Sequence, residues 1–97
     1  MTITPKGSDY LTVGESVTSL DDYLALRDAV AALLEGGSRR VTLAFTESIS
    51  MPSAVIGMLM KLVHQDRVSV TILTGDSRLY NLFEELQLSE LFGVRML

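Results

Sequence analysis

Apolar and polar positions along the 97-residue chain change period several times, and each change predicts an element. Thr2-Ile3-Thr4 and Tyr10-Leu11-Thr12-Val13 alternate or carry β-branched residues. Pro5-Lys6-Gly7-Ser8 between them has turn chemistry, so an N-terminal hairpin is expected. Thr18 with Asp21, and Ser19 with Asp22, have the spacing at which a hydroxyl and a carboxylate satisfy the free amides of a helix start. Leu20, Tyr23, Leu24, Val30, Leu33 and Leu34 then make one amphipathic helix, closed by Gly36-Gly37. Val41 to Phe45 reads as a strand apolar enough to be covered on both faces.

A second helix is expected from about Pro52 to Gln65, and a strand over Val68 to Leu73, stopped by Gly75. Asp76 or Ser77 would cap a third helix carrying Leu79, Leu82, Phe83 and Leu86. Ser89 to Phe92 suggest a further turn of helix, and Val94 to Leu97 a last strand. The order β-β-α-β-α-β-α-β predicts a layered α/β domain: a mixed sheet of about five strands with three to four helices. The whole chain, residues 1–97, reads as one domain, and its length suffices to bury roughly 64% of the unfolded surface.

Composition narrows the chemistry. Eight Lys and Arg against twelve Asp and Glu give a net charge of -4, and only Arg39-Arg40 pair up, which disfavours nucleic acid. Without Cys there is no disulfide, thiolate metal site or cysteine nucleophile. The single His, His64, has no second His or Cys to share a metal. Gly75-Asp76-Ser77 is too short for a phosphate-cradling loop. Neither a signal peptide nor an apolar run of membrane-spanning length is visible, so a cytoplasmic protein without direct membrane insertion is expected. No cofactor is expected.

The segment Val41 to Gly57 resembles the STAS family, which includes the anti-sigma-factor antagonists of bacterial partner-switching systems. That family has a strand ending Leu-Asp-Leu, a short loop, and a helix opening Asp-Ser-Ser-Gly-Leu-Gly-x-Leu. Here the strand is Val41-Thr42-Leu43-Ala44-Phe45, and the helix opens Pro52-Ser53-Ala54-Val55-Ile56-Gly57-Met58-Leu59. Ala44 and Pro52 keep the separation of the two family aspartates, so Ser53 falls on the phosphorylated serine. Tyr10 to Gly14 with the helix that follows, and Leu79 to Val94, extend the likeness over nearly the whole chain.

The resemblance implies a STAS-like fold and a non-enzymatic regulatory role in signal transduction and transcription control. The partner would be a GHKL-type serine kinase that is also an anti-sigma factor, docked at the start of the second helix. STAS-like domains also serve as accessory subunits of lipid-transport ABC systems, where one contacts the ATPase without phosphorylation. Both family aspartates are replaced here, by Ala44 and Pro52, and the residues after the acceptor are Ala54 and Val55.

Two readings of Ser53 follow. A phosphate there would meet free amides at a helix start and add a charge of about -2 to an apolar surface. Alternatively the hydroxyl simply satisfies a neighbouring amide. On the helix behind it, Ile56, Leu59, Met60 and Val63 form an i, i+3, i+4, i+7 stripe expected to face the sheet, with Val55 and Leu62 flanking. The expected partner surface is Met51, Pro52, Ser53, Ala54, Gly57, Met58 and Lys61, with the thioethers able to re-pack against a partner. Catalysis by Ser53 would need a base, and His64 on the same helix lies about 16 Å along the axis.

Overall fold

The computed structural model describes all 97 residues. The hairpin forms as expected: β1 (Ile3–Pro5) lies antiparallel to β2 (Tyr10–Val13), with Ile3 opposite Val13 and Pro5 opposite Leu11. Helix α1 (Leu20–Glu35) follows, then β3 (Arg40–Phe45), α2 (Ser53–His64), β4 (Ser69–Thr74), α3 (Ser77–Glu85) and β5 (Arg95–Met96). Residues 89–93 form a turn, not a helix, so there are three helices.

The strands stand in the order of the chain, β1-β2-β3-β4-β5, and β2 to β5 run parallel. Every parallel crossover therefore steps the same way along the sheet. Since such crossovers are right-handed, all three helices must lie on one face. Burial follows the strand period. Leu11, Val13, Val41, Leu43, Phe45, Val70 and Ile72 are buried in one core with residues of all three helices. Their alternates Tyr10, Thr12, Thr42, Thr71 and Leu73 stay half-buried. The expectation that β3 is covered on both faces is thus corrected: one face carries helices, and Thr42 looks out of the other. Small Ala44, paired with Thr12 and Leu73, is shielded by its neighbours on that uncovered face.

Helix ends obey local chemistry. Ser19 Oγ accepts the Asp22 N–H at 3.1 Å at the start of α1. At its other end Gly37, at φ 100°, lets the Gly37 and Ser38 amides donate to the Leu34 and Leu33 carbonyls. The same closure ends α3, where Gln87 takes φ 59° and Gln87 and Leu88 donate to Glu84 and Phe83. Phe83 and Phe92, both fully buried, meet edge to face at 5.9 Å and tie the turn after α3 to the core. After β4, Gly75 donates its amide to Phe45 O, and its Cα lies so close to the Thr46 carbonyl that any Cβ would overlap it. That contact brings the loops leading into α2 and α3 side by side.

Candidate functional site

The site is the start and outer face of α2. Pro52 is its N-cap, at φ -63° and ψ 148°, so the helix begins one residue later than expected, at Ser53. Proline satisfies either position, because its fixed φ suits both and its missing amide costs nothing at a helix start. Pro52 O accepts from Val55 and Ile56, at 3.0 and 3.3 Å, and no side chain caps the helix. The Ser53 and Ala54 amides find no backbone acceptor. By contrast α1 and α3 are capped, by Ser19 and Asp76.

Helix α2 turns a different face to the core from the one its i, i+3, i+4, i+7 stripe indicated. Val55, Leu59 and Leu62 are buried, Ile56 and Val63 are half-buried, and Met60 is 37% exposed. The correction has a geometric cause. At about 100° per residue, the apolar arc runs from Met58 round to Met60, and its midpoint is the Val55-Leu59-Leu62 line. Centring that arc on the sheet buries the most apolar surface.

Ser53, Ala54, Gly57 and Lys61 are exposed, and Pro52 and Met58 are half-buried. These residues divide between two flanks of α2. Pro52 and Ala54 line a hollow against Thr18, Leu20 and Tyr23 at the start of α1, and Leu20 there is 70% exposed. Met58 and Lys61 line a crevice of about 160 Å³ with Tyr23, Arg27 and Leu34. Ser53 sits at the mouth of a groove against α3. Met51 is corrected: only 8% exposed and part of the core, it is a wall of that groove more than a surface residue. Its side chain packs into the core although Ser53, two residues on and lining the same groove, is exposed.

Sequence reasoning missed that groove. Ile56 and Met60 of α2 face Leu82, Leu86 and Leu88, and the space measures about 550 Å³. The available signal was Leu88, an apolar residue two positions beyond Leu86, the last of the α3 stripe.

Asp76 is held at about 2, below the ordinary 3.8, first by the Arg78 side chain and then by the Arg78 amide. Asp22 is likewise lowered, chiefly by the Thr18 amide. Both are helix-start carboxylates serving local structure. Ser53 and His64 are the first and last residues of α2, about 16 Å apart along the axis, too far for one to activate the other. No cluster of three or more His, Asp or Glu side chains could hold a metal ion. No helix is long and apolar enough to cross a membrane.

No protein-family model, curated protein or solved structure matches the chain. The likeness to STAS domains therefore rests on the residues and spacing quoted above.

Proposed function

We propose that this chain is a regulatory protein–protein interaction module of the STAS type, resembling an anti-sigma-factor antagonist. It docks a partner kinase or anti-sigma factor through the start and outer face of α2. The observation that carries this reading is the exposure of Ser53, Ala54 and Gly57 at an uncapped helix start, with apolar Leu20 and Met58 lining the hollows on its α1 side. Apolar surface of that kind suits burial against another protein. A phosphate on Ser53 would have the Ser53 and Ala54 amides close by, and its charge would oppose apolar docking.

A second reading is favoured by one specific observation. Ala44 and Pro52 stand where the family has carboxylates, and Ala44 alternates onto the sheet face away from α2. A STAS-type accessory subunit that contacts a transporter ATPase needs no phosphoacceptor, so it tolerates both replacements.

Capture with the wild-type chain beside Ser53→Asp and Ser53→Ala, followed by identification of the retained protein, tests both readings. Retention of a GHKL-type kinase, weakened by Asp and kept by Ala, supports the first. Retention of an ABC-type ATPase, equal for wild type, Ser53→Asp and Ser53→Ala, supports the second. Intact-mass measurement on protein from its native cell reports the phosphate directly. Capture of neither class, with the variants folded, removes both.

A further inference from the structure

We propose that residues 47–51, which join β3 to α2, form a strap with two positions, and that the second turns Ile49 inward and Ser48 out to solvent. In the observed position the strap is inside out. Ser48 is 1% exposed and its Oγ has no hydrogen-bond partner, while the adjoining Ile49 is 45% exposed. A buried hydroxyl without a partner keeps the full cost of leaving water. An isoleucine left at the surface forgoes the gain of burial. Two neighbouring residues therefore oppose the same arrangement, and one exchange relieves both.

Little holds the strap where it is. It is fastened at both ends: the Thr46 amide donates to Val13 O at 3.2 Å, and Pro52 O accepts from Val55 and Ile56. Between those points, no amide or carbonyl of residues 47–51 takes part in a backbone hydrogen bond, so the exchange breaks none. Segments with few such bonds are the ones that open locally. Ile49 needs more room inside than Ser48 vacates, which keeps the second position from being the resting one. Met51, the other buried residue of the strap, can yield that room. Its thioether is flexible, and it walls the groove against α3, where about 550 Å³ is open to receive it.

The exchange is a device beside the candidate site. Ile49 lies four residues before Ser53, so one position offers an apolar contact there and the other withdraws it. A partner that covers Ile49 selects the first position, and so does anything that fills the groove and blocks Met51. The motion belongs to the free chain, so it stands apart from the role proposed for the outer face of α2.

Methyl relaxation dispersion on the intact chain is the readout, because motions of this kind fall in the μs–ms range. The Ile49 and Met51 methyls should exchange together, with those of Ile72 and Met58 flat. Ser48→Ala removes the unpaired hydroxyl. It should raise the folding equilibrium constant, measured by urea unfolding, about fivefold or more and depopulate the second position by a similar factor. Ile49→Asn, at an exposed position, removes the reward for turning inward and should abolish the exchange at Met51. Flat profiles at Ile49 and Met51, a Ser48→Ala variant no more stable than wild type, or Met51 exchange unchanged in Ile49→Asn would each overturn the proposal.

Discussion

Met58 and Met60, two residues apart on α2, open onto opposite flanks of the helix. Met58 points into the crevice against Tyr23 and Arg27 of α1, and Met60 into the groove against Leu82 and Leu86. The crest between them, Ser53 and Gly57, is exposed. One short helix therefore separates two apolar hollows, and only the one on the α1 side is lined by charged residues, Arg27 and Lys61.

The two thioethers should differ in what they contribute to stability. Met58 is half-buried and packs on the core, whereas Met60 is exposed. Met58→Ala should cost about 1–2 kcal/mol, and Met60→Ala less than about 1 kcal/mol, scaling the cost of buried large-to-small changes by burial. Urea unfolding of the two variants checks the order. Equal losses would mean that Met60 is packed as tightly as Met58.

Gly57 offers a cleaner separation of stability from binding. A Cβ there would meet nothing within 4 Å, so no contact inside the protein requires glycine. Glycine in a helix interior is nevertheless about 1 kcal/mol worse than alanine. Gly57→Ala should therefore raise stability by about 0.5–1 kcal/mol. Where a partner backbone approaches the crest closely, the same change weakens capture. A variant that melts higher and binds unchanged would place Gly57 outside the docking surface.

Element order and most boundaries were readable because each rests on a local rule: Tyr10 to Val13 alternates, Ser19 caps, Gly36-Gly37 closes, and Asp76 caps. The start of α2 slipped by one residue because Pro52 fits either side of that boundary. The face that α2 buries was misplaced because an apolar arc about 200° wide contains more than one helix-spaced stripe. β3 concealed its uncovered face because Thr42 and Ala44 are small enough to suit either environment. Ser53 as an exposed helix-start hydroxyl was readable from its own neighbours. The groove was not, since Met60 and Leu86 are remote in sequence and no period in either segment refers to the other.

The close of α3 predicts a stabilising substitution. Gln87 sits at φ 59°, a conformation that costs a side-chain-bearing residue and not glycine, and it is exposed. At the equivalent place after α1 the chain uses Gly37. Gln87→Gly relieves that cost but loosens the unfolded chain, for a net gain of about 0.5 kcal/mol. Thermal unfolding measures it. A loss of stability would mean that the Gln87 side chain makes a contact outweighing its backbone conformation.

Asp76 predicts how the fold responds to acid. Its carboxylate is held at about 2 in the folded chain, below the ordinary 3.8, mainly by the Arg78 side chain. A carboxyl that ionises more readily when folded adds stability wherever the unfolded group is also ionised. That contribution is complete above about pH 4 and disappears as pH falls through the interval down to about 2. Asp76→Asn keeps an oxygen able to accept the Arg78 amide but removes the charge that titrates. Wild type should be the more stable of the two at neutral pH, and the difference should shrink across that interval. Because the Arg78 side chain is largely exposed, added salt should narrow the neutral-pH gap as well. Melting temperatures of both proteins from pH 7 to pH 2 decide the matter. Parallel curves would show that Asp76 holds α3 through hydrogen-bond geometry alone, with its charge contributing nothing.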